Sequence, residues 1–308
     1  MKATQLWTRA PAGRVDPRAR SPAGAGVLAK ALASGSARTG AVLLGVMTVL
    51  AVFGPTLAPY DPSLPVAAPY QPPSAAHWLG TNDIGQDLLS ELLVGARVSL
   101  AIGLLAAAVS VAFGTLVGIL AGALGGWVDV LLMRLTDVVL TLPFLPLVIV
   151  LATFFGPSLL TTAAVLSLVI WARPARVVRS QALTVEGRAY VEAAYALGGR
   201  ASHVLRRHVL PAVAPVALSQ FVLAVSSAVL AEASLAFLGL GDPLSKSWGS
   251  ILFYAQTRGA FLTGAWPWWV LPPGLMIAAT VLGFALLGRS LERALTPQAG
   301  DAAGRARR

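Results

Sequence analysis

The sequence predicts an all-α membrane protein of six transmembrane helices with both termini on the cytoplasmic side. Three observations predict it. The 308 residues are 56% hydrophobic and only 12% charged, against about 25% charged in an ordinary soluble domain. Six apolar stretches, separated by polar segments, are each long enough to cross a hydrocarbon layer of about 30 Å at about 1.5 Å per residue. Charge placement then sets the direction. Of the 23 Lys and Arg residues, nineteen fall in the N-terminal tail, in 173–208 and from 289 onward, while the segments assigned to the other side hold only Lys246 and Arg258. Under the positive-inside rule this asymmetry puts both ends inside.

Residues 1–39 are rich in Ala, Gly, Pro and Arg without an apolar period and read as a disordered basic cytoplasmic tail. Residues 40–94 hold the first span, 40–58, and an outer loop that is proline-rich and contains no Lys or Arg. In that loop Gly80-Thr81-Asn82-Asp83 reads as a turn leading into a helix capped by Asp83. His77, Asp83 and Asp87 do not make a convincing metal site, which needs three or four convergent ligands.

Residues 95–295 form the main transmembrane unit, and 296–308 a second cytoplasmic tail. Span two, 98–123, repeats Gly114, Gly118 and Gly122 every fourth residue, a face smooth enough for close helix approach. Span three, 128–155, carries Arg134 and Asp137 one turn apart, a pair able to neutralise itself near the inner interface, and then Pro143 and Pro146, which bend or break it. Span four covers 158–176. Span five, 211–238, bears Ser219, Gln220, Ser226, Ser227 and Glu232, so one side faces protein or a water-filled path. Glu232, ionisable inside a span, is either a functional group or a structural hydrogen-bond partner of the loop after Gly239. The outer segment 242–270 holds Trp248, Trp266, Trp268 and Trp269, which fit an interfacial belt. Span six, 271–288, ends at Arg289.

The chain is organised around residues 188–211. Tyr190, Ala193, Ala194, Leu197, Ala201, Val204 and Leu205 recur at three- and four-residue steps, one stripe of a helix, with Arg188, Glu192, Arg200, His203, Arg206 and Arg207 off it. Gly198-Gly199 interrupts the stripe, each glycine costing about 1 kcal/mol against alanine, so two short helices meeting at a bend are expected. Pro211 opens span five, where a missing N–H is harmless. A small-faced helix between two spans suits docking against another protein.

Glu192-Ala193-Ala194, Gly198 and Leu210-Pro211, at this spacing between two spans, resemble the EAA loop of bacterial ABC-importer permeases. Arg207-His208-Val209-Leu210-Pro211 resembles the branch importing dipeptides, oligopeptides or nickel, and more specifically its C-type permease subunit. The segment His77 to Leu100 is similar to the one preceding the second span in that branch, although Thr81-Asn82-Asp83 and Gly85-Gln86-Asp87 depart from its usual spelling. Ala231 to Gly241, followed by Trp248-Gly249, matches its fifth-span exit.

The resemblance implies an ABC type I importer permease fold in the bacterial plasma membrane. It also implies a second homologous permease subunit, two cytoplasmic ABC ATPase subunits and an extracytoplasmic solute-binding protein as partners. In that family the loop's short helix sits in a cleft of the ATPase. Glu192, Ala193, Ala194, Gly198, Gly199, Leu210 and Pro211 become the coupling residues by the same resemblance. Cargo is expected to be small peptides, or nickel as a chelate.

No Gly-x-x-x-x-Gly-Lys-Ser/Thr, His-Glu-x-x-His or Gly-x-Ser-x-Gly occurs, so a transporter subunit with no catalytic residue, cofactor or metal is expected, with ATP hydrolysis on a separate chain. The net charge of +10 flanks apolar spans, which fits anchoring at anionic lipid and not nucleic-acid binding. A self-contained secondary transporter or channel is the alternative. It requires an intramembrane charge relay and usually an internal repeat, but only Asp137 and Glu232 qualify as relay groups and no convincing repeat is found.

Overall fold

The computed structural model describes residues 34–295, so the tail assignments for 1–33 and 296–308 lie outside the described residues. Every regular element longer than an isolated bridge is helical among the described residues. In chain order these are α1 (Gly35–Leu57), α2 (Leu88–Leu124), α3 (Gly126–Thr141), α4 (Phe144–Phe155), α5 (Leu159–Ile170) and α6 (Ala172–Glu186). They continue with α7 (Ala189–Ala196), α8 (Ala201–Val204), a π-helical turn (Leu205–Val209), α9 (Leu210–Phe237), α10 (Trp248–Thr257), α11 (Trp266–Trp269) and α12 (Leu271–Leu295).

Four continuous helical stretches are long and apolar enough to cross a membrane, and two bent pairs raise the number to six. The bends have local causes. Leu142 is extended ahead of Pro143, which ends α3, and α4 leaves at 93° to it. This break is sharper than a bend within one helix. Between α5 and α6 the chain turns by only 41°, because Trp171 stays helical while Pro174 offers no N–H to the Ile170 carbonyl. The first helix starts at Gly35, five residues before the expected Gly40. The Ser34 hydroxyl accepts from the Ala37 N–H, and Ala37 is buried.

Helix α2 is the spine and packs against α1, α5, α6 and α9. Its cap is Asp87, not Asp83: the Asp87 carboxylate accepts from the Ser90 N–H at 2.9 Å and its hydroxyl at 2.7 Å, and also meets His77 Nδ1 at 2.9 Å. Asp83 faces Arg258 at 3.5 Å. Lys246 Nζ reaches Glu91 Oε1 at 2.6 Å and Gln86 Oε1 at 2.9 Å, fastening the segment before α10 to the start of α2. Trp248 and Trp269 are fully buried, so they belong to the core and not to an interfacial belt, while Trp266 is 41% exposed. Trp248 Nε1 satisfies its donor on the Leu92 carbonyl at 3.1 Å.

The glycine face of α2 meets α6. A Cβ added at Gly118 would stand 2.5 Å from the Ala175 carbonyl oxygen, and one at Gly114 2.5 Å from that of Trp171. Only glycine permits this approach. Asp137 does not pair with Arg134, its neighbour one turn away. Its carboxylate takes Arg176 of α6, Asp129 takes Arg179 Nη2 at 2.6 Å, and Arg134 is exposed. Two ion pairs thus tie α3 to α6, a bond that spacing along one helix does not reveal.

Candidate functional site: the 188–211 loop

The short helix α7 is carried on a valine anchor. Val191 is its one buried residue, enclosed with Val178 and Val185 of α6, Val204, Val209 and Val213 further along, and Ile119 of α2. Burying one such side chain contributes about 1.5–3 kcal/mol, enough to hold a two-turn helix that would not persist alone. The stripe read from the sequence is divided: Tyr190, Ala193 and Leu197 (89% exposed) turn outward on α7, whereas Val204 and Leu205 further along join the anchor. Ala194 is half-buried between the two faces.

Glu192 lies in the first turn of α7, is exposed, and forms no ion pair among the described residues. Its carboxylate is compatible with the positive end of the helix. The helix then stops in a Schellman arrangement. Gly198 N–H donates to the Tyr195 carbonyl at 2.9 Å and Gly199 N–H to that of Ala194 at 3.0 Å. Gly198 has φ +84°, the left-handed region, and open space around it; a Cβ on Gly199 would meet the Ala194 oxygen at 2.6 Å. The two glycines therefore do different work, conformation in one case and clearance in the other.

After α8 the chain widens into the π-helical turn, with the Leu210 N–H bonded to Leu205 O, and enters α9 at Leu210 and Pro211. The wide turn accommodates Pro211, which has no N–H to give. Leu210 is 46% exposed. The His208 ring lies 5.8 Å from that of Tyr190 and 6.4 Å from that of His203, bracing α7 against the turn. Arg188, Arg200, Arg206 and Arg207 are exposed around this small-residue face.

Helical periodicity does not reveal Val191 as the anchor of α7, because it falls off the dominant stripe. A second missed contact joins Glu186, at the end of α6, to the Tyr195 hydroxyl. Burial, and then the Glu186 carboxylate, raise the Tyr195 phenol above its ordinary value. Tyr195→Phe is expected to loosen α7 by about 1 kcal/mol, read as roughly fivefold faster amide exchange over 189–199. Unchanged exchange would remove this contact from the anchor.

The remaining polar candidates do not join the loop. Glu232 is 2% exposed on α9, with the Ser99 and Ser247 hydroxyls beside its carboxylate and Oε2 without a partner among the described residues. Ser247 belongs to the segment after Gly239, where the structural reading of Glu232 puts its partner. Asp137 is held at α6, and Arg134 is exposed and pairs with neither among the described residues.

A bundle of helices long and apolar enough to cross a membrane, with an exposed short helix on an arginine-bearing loop, defines an integral membrane protein. The chain belongs to the family of binding-protein-dependent transport system inner membrane components, whose pattern matches residues 114–300. Residues 32–73 match the N-terminal transmembrane domain of oligopeptide transport permease C. Over 264 residues the chain is 37% identical to a probable D,D-dipeptide transport system permease of Escherichia coli strain K12, covering 85% of this chain and 87% of that one. It is 35% identical to a dipeptide transport system permease of Bacillus subtilis strain 168, covering 85% and 82% respectively. An oligopeptide transport system permease of the same Bacillus strain is 33% identical, with 85% of each chain covered. The chain is thus an inner-membrane permease subunit of an ABC transporter and not an enzyme.

Proposed function

We propose that this chain is one of two transmembrane subunits of an ATP-driven importer of short peptides, coupled through residues 188–211 to a separate ATPase. The observation that supports it most is the exposed Tyr190, Ala193 and Leu197 face of a helix whose other side is locked by Val191. A rigid mount with a small, open face is what a lever needs. In this reading Glu192 meets a basic group of the ATPase, Ala193 and Ala194 allow close approach, and Gly198 and Gly199 set the bend. Leu210 and Pro211 pass the movement into α9. A second, homologous permease completes the pore, two ATPase chains dock on the cytoplasmic side, and a binding protein delivers cargo outside. The relatives are named for dipeptides and oligopeptides, which favours peptide over nickel chelate as cargo.

The chain has no cysteine, so single cysteines report position without further engineering. Leu197→Cys is expected to react with an impermeant thiol reagent only from the cytoplasmic side, and to be shielded when the ATPase chains are bound. Leu244→Cys, whose parent residue is 96% exposed in the segment before α10, is expected to react only from the outside. The reverse labelling would reject the orientation, and an unshielded Leu197→Cys would reject docking. Uptake of a labelled dipeptide by vesicles holding the assembled importer, and not by vesicles holding this chain alone, separates the reading from a self-contained transporter.

A further inference from the structure

A cleft of about 580 Å³, mostly apolar with a polar side, opens between the α3–α4 break, the α5–α6 bend, α9 and α12. Its polar lining is Arg173, Gln220, Ser226, Ser227, Arg289 and Glu292, set among apolar side chains. Gln220 Nε2 donates to Glu292 Oε1 at 3.0 Å, and Ser226 Oγ donates to the Val281 carbonyl at 3.0 Å. Polar groups from three helices thus face one solvent-reached space whose walls are otherwise apolar, a setting that suits a small polar solute. Arg173 and Arg289 are exposed to solvent, and neither forms an ion pair with a carboxylate among the described residues. The volume lies within the range of about 300–1,000 Å³ typical of small-molecule sites.

We propose that this cleft is the chain's share of the translocation path, and that Arg173 and Arg289 receive the C-terminal carboxylate of a short peptide. The proposal rests on the peptide-import reading above. Guanidinium groups match carboxylates with paired, charge-assisted hydrogen bonds, and every unmodified short peptide carries that group whatever its side chains. The serines and Gln220 supply a sequence-tolerant polar wall. A lipid phosphate offers the same anionic chemistry, so the test must separate the two sources.

The complete importer, reconstituted in vesicles, is given two labelled dipeptides that differ only in a free or amidated C-terminus, and uptake is normalised to binding-protein occupancy. The wild type is expected to move the free acid about tenfold faster, the scale of a charge-assisted contact. In Arg173→Gln/Arg289→Gln the ratio is expected to fall to about one, and Arg173→Lys/Arg289→Lys to recover part of it. A ratio near one in the wild type, or an unchanged ratio in the glutamine variant, overturns the assignment. So does an equal slowing of both peptides that tracks the anionic lipid content of the vesicles, which gives the arginines to lipid phosphate. Failure of the wild type to move either peptide would instead overturn peptide import itself.

Discussion

Glu192→Lys and Gly198→Asp, each reconstituted with the partner chains, are expected to reach the membrane at wild-type level and to lose cargo-stimulated ATP hydrolysis. The loss should be on the order of tenfold or more, the scale of removing an interface hot spot worth about 2 kcal/mol. Folding is not the reason. Glu192 is exposed with no ion pair among the described residues, and a surface change of this kind usually stays within about 0.5 kcal/mol. At Gly198 nothing lies within 4 Å of an added Cβ, so only the left-handed φ of +84° penalises the substitution. That penalty is about 1–2 kcal/mol and is confined to the bend. What both changes alter is the outward face: one reverses its charge, the other reorients its stop and adds an anion. Stimulated hydrolysis at the wild-type rate in either variant would reject the lever.

The two short helices and the bend at Gly198-Gly199 were legible because they are local: a 3.6-residue stripe, its interruption and a following proline suffice. The apolar stretches, four continuous helices and two bent pairs, are legible for the same reason, since length and hydropathy are properties of one segment. The contacts that mount the loop were not. Val191 lies off the stripe, and only tertiary structure shows that α7 turns it inward to meet Val204 while Tyr190, Ala193 and Leu197 of the stripe face out. Spacing along one helix pairs Asp137 with Arg134, whereas its partner Arg176 arrives from α6. Trp248 and Trp269 read as interfacial by composition and height, yet a buried donor site at the Leu92 carbonyl decides the matter for Trp248. The turn at 80–83 points to Asp83 as the cap, but Asp87 takes that place because Ser90 and His77 meet its carboxylate.

Gly118→Val is expected to have a large effect on the fold. The new side chain would start 2.5 Å from the Ala175 carbonyl, 2.9 Å from the Arg179 backbone nitrogen and 2.9 Å from the Val178 Cβ. Two of these three atoms are backbone, so no rotamer change relieves them, and α2 must part from α6. Overpacking of this kind costs about 1–3 kcal/mol or more, which corresponds to a fall of about 5–10 °C in the midpoint of thermal unfolding in detergent. Gly45→Val on α1, with nothing within 4 Å, is the matched control and is expected to unfold with the wild type. The consequence for coupling is separate from the loss of stability. The valine anchor joins the loop to α6 through Val178 and Val185, and to α2 through Ile119, so the loop moves the bundle only while those helices move together. In Gly118→Val protein that survives purification, ATP hydrolysis is therefore expected to persist while cargo moved per ATP falls severalfold. An unchanged ratio would mean that α6 transmits the stroke without α2, and that the glycine face serves assembly alone.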